Sequence, residues 1–276
     1  MHIGPRSFDW SRPVLMGILN LTPDSFFDGG KYAGLDAALA QVQRMCDDGV
    51  EVVDIGGQST RPGSSAISAE AELARVLPAI KEIAKQFPKL ALSIDTDKAK
   101  VADAALTAGA HMVNDVTALR GDSQMSAVVV KHAVPVVLMH AQGNPKTMQE
   151  QPVYTDVVQD VYDFLQQRID IAVTAGVSAG NIIVDPGIGF GKTLAHNLLL
   201  LKHLDVFKPL ACPLLLGTSN KSFIGQILDA PVNEREAGTQ ASMVWGLTKG
   251  AAIFRVHNVK LARQSLQFTH AMMGAA

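Results

Sequence analysis

The sequence is poor in cysteine, in net charge and in long apolar runs. Two cysteines, Cys46 and Cys212, stand far apart in 276 residues. They form neither a metal spacing nor a disulfide framework, and are expected to be core fillers rather than nucleophiles. A formal net charge of −2 favours neither nucleic acid nor an anionic membrane as partner. No apolar run reaches the ~18 residues of a membrane span. The opening stretch, MHIGPRSFDWSRP, lacks the apolar core of a signal peptide. No low-complexity linker or internal repeat beyond a βα rhythm is visible. A soluble, cytoplasmic protein is the expectation.

What the chain does have is core material. It is 47% hydrophobic and 18% charged, and its length is ordinary for one α/β barrel. Eight short β-rich runs recur: VLMGIL (14–19), VEVVDI (50–55), LALSI (90–94), HMVND (111–115), VPVVLM (134–139), NIIVD (181–185), CPLLLG (212–217) and AAIFRV (251–256). They are continuously apolar rather than alternating, as strands buried on both faces of a parallel sheet are. Helical patterns fill the gaps. Leu35, Leu39, Val42 and Cys46 share one helical face ahead of Gly49. Ser68 can cap a helix with Glu70 and Glu72 in its first turn. Leu73, Val76, Leu77 and Ile80 give that helix its stripe, and Pro78 is expected to kink it. Further helices end at Gly109 and Gly176, and one follows the last strand. Eight βα units in order predict a single-domain (β/α)8 TIM barrel over residues 1–276. A doubly wound open sheet is the alternative.

In such a barrel the loops after the strands form the active face. The successive strand ends carry Asn20, Asp54, Asp95, Asn114 with Asp115, Met139 with His140, Asp185, Lys221 just beyond the seventh run, and Arg255 with His257. One strand-end Asp is most simply a turn or cap residue. A polar group at every strand end is harder to read that way. Asp95, Asn114, Asp185 and one Lys make a hydrogen-bonding set suited to a flat heterocycle rich in ring nitrogens and amino groups. Arg255 and His257, with the donors of QSTRPGS, suit a pyrophosphate. Asn20 offers a hard oxygen to Mg²⁺. The glycine run DPGIGFGKT (185–193) is not a Walker loop, because Pro186 stands where the pattern needs glycine. Nor is it a dinucleotide fingerprint, lying late with no acidic strand end about 20 residues on. No Ser-His-Asp order, catalytic carboxylate pair or Cys-His pair emerges from spacing. Departure of a diphosphate held by Mg²⁺ and cations needs no side-chain nucleophile.

GILNLTPDSFFDGG, DIGGQSTRPGSS, SIDT, NDV, LMHAQGNPKTMQ, DPGIGFGKT, GTSNKSFIG and RVHNV follow one another in the chain. In this order they resemble the dihydropteroate synthase family, over about Val14 to Val259. The resemblance implies a folate-pathway transferase, typically dimeric, joining 6-hydroxymethyl-7,8-dihydropterin diphosphate to 4-aminobenzoate. It implies that Asp95, Asn114, Asp185 and Lys221 hold the pterin, with Met139, Phe190 and Gly217 in the same substrate-binding set. Asn20 would meet Mg²⁺. Arg255, His257, Thr60 and Ser59 would take the diphosphate. Lys221, Ser222, Pro62 and Phe26 would border the aminobenzoate. Lys221, Arg255 and Asp95 are the implied catalytic residues. Diphosphate would depart first, and the loops TPDSFFDGG and GGQSTRPGSS would close over the site.

Three positions depart from the family pattern: Gln58 for Glu, Asn220 for Arg and Asn258 for Asp. Loss of charge of both signs suggests that the changes compensate one another. They also raise a non-catalytic pterin-binding paralogue as the alternative reading. A methyltetrahydrofolate–corrinoid methyltransferase barrel is a third, disfavoured by the diphosphate-type motifs STRPGS and RVHNV.

Overall fold

The computed structural model describes residues 1–22, 31–59, 66–143 and 152–275. An antiparallel hairpin comes first, β1 (His2–Ile3) and β2 (Arg6–Ser7). Eight parallel strands follow: β3 (Val14–Asn20), β4 (Val52–Gly56), β5 (Ala91–Asp95), β6 (Met112–Asp115), β7 (Val136–Met139), β8 (Ile182–Asp185), β9 (Leu215–Leu216) and β10 (Ile253–Val256). They pair in the order β8-β7-β6-β5-β4-β3-β10-β9. The seam between β8 and β9 is drawn together by one parallel bridge, Val184 to Leu214, where the Val184 N–H donates to the Pro213 carbonyl at 3.0 Å. The result is a nearly closed (β/α)8 barrel, as the alternation of runs predicts.

Every crossover carries a helix: α1 (Lys31–Asp47), α2 (Ala69–Gln86), α3 (Ala99–Thr107), α4 (Met125–His132), α5 (Val157–Thr174), α6 (Leu194–Lys202), then α7 (Ser222–Leu228) and α8 (Glu236–Thr248) together; α9 (Val259–Met273) follows β10. Ser68 caps α2 as expected, accepting from the Ala71 N–H at 3.1 Å. Pro78 lies inside α2, which runs on through it. The buried stripes are shifted from those expected. In α1 the fully buried positions are Ala38, Val42 and Met45, with Leu35, Leu39 and Cys46 only partly covered. In α2 they are Glu72, Val76, Ala79, Ile80 and Ile83, while Leu77 is not among them. Each buried stripe mixes alanine with bulkier side chains, Ala38 with Val42 and Met45, and Ala79 with Val76, Ile80 and Ile83.

The barrel's two surfaces alternate residue by residue. Leu15, Leu19, Val53, Ile55, Leu92, Ile94, Val113 and Val184 pack outward against the helices. Their neighbours Met16, Val52, Ala91, Met112, Val137, Ile183, Leu215 and Ile253 form a second, interior cluster. Ile3 and Phe8, at either end of the hairpin, join that interior cluster and so plug the N-terminal end of the barrel. Both faces are buried, which is why the strands read as unbroken apolar runs. Counting on by twos from the interior cluster reaches Asn20, Asp54, Asp95, Asn114, Met139, Asp185, Gly217, Arg255 and His257. The same parity that fills the lower barrel with apolar bulk therefore aims polar groups into its C-terminal end. Asp115 has the opposite parity and is a turn residue, accepting from the Thr117 and Leu119 N–H groups at 2.8 Å each.

Candidate active site

Arg255 is the hub of the inner network. Its Nε donates to Asp54 Oδ2 at 2.6 Å and its Nη2 to Asp95 Oδ2 at 2.8 Å. Asn114 Nδ2 donates to the same Asp54 oxygen at 2.9 Å. The amide is thereby oriented with its carbonyl turned away from Asp54. Both carboxylates are buried. Burial pushes Asp95 up to about 7, against the pull of Arg255 and with the push of Asp54. Asp95 Oδ1 is buried without a hydrogen-bond partner among the described residues, an arrangement costing about 1–3 kcal/mol unless a donor arrives. A site that waits for donors from a ligand is built this way.

Asp185 ends β8 beside this network. Its Oδ1 accepts the Gly187 N–H at 2.7 Å. Burial raises its pKa to about 6, with Gly187 and Lys221 working to lower it. The following loop turns through Gly187 and Gly189 at φ +66° and +83°, a region open to glycine and strained for other residues. It brings the Phe190 ring under Lys221, whose Nζ lies 4.0 Å from the ring centroid. Met139 is buried at the inner end of β7. Gly217 sits just beyond β9, where an added Cβ would lie 3.8 Å from that of Arg255, so it leaves the approach to the hub open. A cleft lined by Asp95, Phe190, Gln58, Thr117 and Arg120 leads to these groups.

His257 is held at the rim by Ser219, whose Oγ lies 2.9 Å from Nδ1 and accepts the His257 N–H at 3.3 Å. Asn20 ends β3 paired with Gly56, which on its other side pairs with Asp95. Ser222 is exposed at the start of α7, and Ser59 is half-buried after β4. Phe26, Thr60 and Pro62 lie outside the described residues. The structure thus gathers Asp95, Asn114, Asp185, Lys221, Phe190 and Arg255 around one end of the barrel. Sequence reasoning passed over Asp54 as a mere strand end, though its parity with Val52 marks it as inward. It also missed Ser219, which supports His257, and Lys192, which the failed Walker match led away from.

The three departures have separate partners. Gln58 Oε1 accepts from Lys98 Nζ at 2.8 Å and from the Ile67 N–H at 3.1 Å. Asn220 adopts φ +58°, a conformation that Asn tolerates better than most side chains; its N–H donates to Thr239 Oγ1 and its carbonyl accepts from Arg235. Asn258 caps α9, accepting from the Leu261 N–H at 3.1 Å. Compensation by direct pairing among the three is not how these bonds are arranged.

The family model for pterin-binding enzymes matches residues 16–257. The dihydropteroate synthase of Bacillus subtilis is 44% identical over 274 residues, covering 99% of this chain and 93% of the relative. The Yersinia pestis enzyme, solved with a sulfonamide drug complex, superposes with a TM-score of 0.94 at 43% identity, covering 100% of this chain and 99% of that one. The Xanthomonas albilineans enzyme, solved with 7,8-dihydropteroate, gives 0.88 at 39%, covering 98% and 97%. An inward ring of Asp54, Asp95, Asn114, Asp185 and Arg255 on an eight-stranded barrel, and full-length identity above two-fifths, agree: the chain belongs to the dihydropteroate synthase family of pterin-binding enzymes.

Proposed function

We infer that the chain condenses 6-hydroxymethyl-7,8-dihydropterin diphosphate with 4-aminobenzoate, giving 7,8-dihydropteroate and diphosphate. The observation that carries this reading is the buried acceptor set of Asp95 and Asp185, with Asn114 between donor and acceptor roles, at the C-terminal end of the barrel. Carboxylates held in an apolar wall accept strongly from ring N–H and amino groups. The pterin edge would lie against Asp185 and Asn114, with Lys221 bordering it and its ammonium kept in place over Phe190. Met139 and Gly217 would leave a flat slot for the ring.

The bond to break joins the pterin methylene carbon to the diphosphate oxygen. Its electron pair leaves with diphosphate, and positive charge develops on a carbon conjugated with the ring. Asp95 would stand near the ring and oppose that charge when ionised, while Arg255 and His257, with Thr60 and Ser59, would receive the departing anion. The arylamine nitrogen, bordered by Lys221, Ser222, Pro62 and Phe26, then forms the new C–N bond and loses a proton. Water must be kept from the cation for amine attack to prevail. Asn20 supplies one neutral oxygen, and no group of three or more metal-ligating His, Cys, Asp or Glu occurs among the described residues. That donor set fits a Mg²⁺ arriving with the diphosphate and keeping its waters, rather than a resident metal cage. Bound there, Mg²⁺ would neutralise charge on the leaving group.

We also propose a cytoplasmic homodimer of single-domain subunits. Among the described residues no helix is long and apolar enough to cross a membrane. Leu198, Leu199, Ile227, Leu228 and Trp245 are exposed on α6, α7 and α8, three helices in mutual contact, and such a face suits a second copy. Turnover with both substrates and Mg²⁺ tests the main reading. Dihydropteroate and diphosphate should form in equal amounts, and Lys221→Ala should lower kcat/KM by at least about tenfold. Pterin binding without product would favour the non-catalytic paralogue instead.

A further inference from the structure

Lys192 lies beyond the glycine loop and is 3% exposed. Its Nζ faces four acceptors: His140 Nδ1 at 2.9 Å, and the carbonyls of Gly187 at 2.9 Å, Phe190 at 3.0 Å and His140 at 3.3 Å. Burial, with Lys221 nearby, pushes Lys192 down to about 7 against the pull of Asp185. Four acceptors surround Nζ, and the ammonium, with three N–H donors and no acceptor, is the form that suits such a cup. The imidazole can accept only if unprotonated. Burial, reinforced by Lys192 and Arg120, pushes His140 down to about 2 and so keeps it neutral.

The cup joins two elements that build the site. His140 leaves β7, and its N–H donates to the Asp185 carbonyl at 2.9 Å. Gly187 and Phe190 belong to the loop after β8. Without the amine, the carbonyls of His140 and Phe190 and the His140 ring nitrogen would lose their shared donor, and the Gly187 carbonyl would keep only the Phe190 N–H at 3.1 Å. The loop's own turn bond and the Tyr154 hydroxyl on the Gly191 carbonyl, at 2.7 Å, hold it only in part, since Gly187, Gly189 and Gly191 all sit at positive φ. At the base of α6, Asn197 Oδ1 accepts the Gly189 N–H at 2.7 Å and holds the middle of the loop. Lys192 holds both ends of the Gly187–Phe190 turn.

We propose that Lys192 is the positioning residue of the pterin wall: its ammonium gathers the carbonyls of His140, Gly187 and Phe190, and so fixes the Gly187 amide on Asp185 and the Phe190 ring beneath Lys221. It does this from behind the wall and does not touch substrate. The proposal rests on the pterin-binding reading above. The long apolar stem of Lys192 packs within the barrel shell, so Lys192→Met keeps the stem and removes only the donors. Lys192→Gln keeps an N–H donor in the cup.

The test titrates wild type, Lys192→Met and Lys192→Gln with 6-hydroxymethyl-7,8-dihydropterin diphosphate in the absence of arylamine, alongside thermal unfolding and amide hydrogen exchange. Expected are a folded Lys192→Met with pterin affinity lowered at least about tenfold and faster exchange at the Gly187 and Gly189 amides. Lys192→Gln should recover part of both losses. A folded Lys192→Met that binds within about twofold of wild type would overturn the proposal. So would failure of both variants to fold, which would make Lys192 a core residue rather than one that shapes the site. If wild type itself binds no pterin, the functional reading fails on its own. The exchange rates then still decide whether Lys192 orders the loop.

Discussion

A buried carboxylate weighs on the folded state whenever it is ionised, even with cations near it. Asp185 has an ordinary pKa near 3.8 and is pushed to about 6 by burial. The folded protein therefore holds this proton more tightly than the unfolded chain does. Stability from this group is fully present below about pH 3.8 and is lost as pH rises to about 6. Above that the penalty is on the order of 3 kcal/mol. Asp185→Asn should accordingly raise the thermal midpoint at pH 8, with the gap to wild type closing towards pH 4. The same variant should bind pterin more weakly by over about 1.4 kcal/mol, because donors of the ring lose a charged acceptor. Wild-type affinity should itself fall as pH drops through about 6, where the acceptor becomes protonated; titration calorimetry across pH 5 to 8 reads both effects. Gln58 and Asn220 bond to different residues, so Gln58→Glu and Asn220→Arg should change unfolding free energy additively, within about 0.5 kcal/mol. A larger coupling in denaturant titrations would revive the compensation idea.

Helix α2 shows how an element can look ordinary in sequence and be tied to the site in space. Its Glu72 is wholly buried and takes a 2.7 Å bond from Lys98 Nζ, which also reaches Gln58. The pair couples α2 to the start of α3 and to the end of β4. Lys98→Met would leave Glu72 buried without its cation, at a cost of about 3 kcal/mol. Combining it with Glu72→Gln should recover much of that loss in a double-mutant cycle by urea denaturation. A purely additive cycle would mean that the pair contributes nothing beyond its parts. The helix was legible from its cap and spacing. The role of Glu72 was not, because a first-turn Glu reads equally well as a dipole partner, and only packing against Lys98 distinguishes the two.

At the scale of the molecule the barrel separates stability from chemistry. The hairpin closes one end with Ile3 and Phe8, while Asp95, Asp185 and Arg255 occupy the other. Phe8→Ala should cost about 3 kcal/mol of unfolding free energy and leave KM for either substrate unchanged, by chemical denaturation and steady-state kinetics. A shift in KM comparable to that of an active-site variant would show that the ends communicate. Such a plug has little signature in sequence, since two-residue strands carry almost no periodicity.

Strand count, helix order and the polar strand ends were all written in the sequence, because buried parallel strands and helical stripes are local patterns that repeat every few residues. Asn114, Asp185 and Arg255 could be picked out from their places at the ends of such runs. Asp54 could be placed at such an end too, but its bonds to Arg255 and Asn114 could not be read, and Lys192 could not be picked out. Whether Asp54 meets both depends on how β4, β6 and β10 come together around the barrel, and whether Lys192 meets four acceptors depends on where β7 and β8 place their loops. Those are relations between segments distant along the chain, and they exist only once the cylinder has closed.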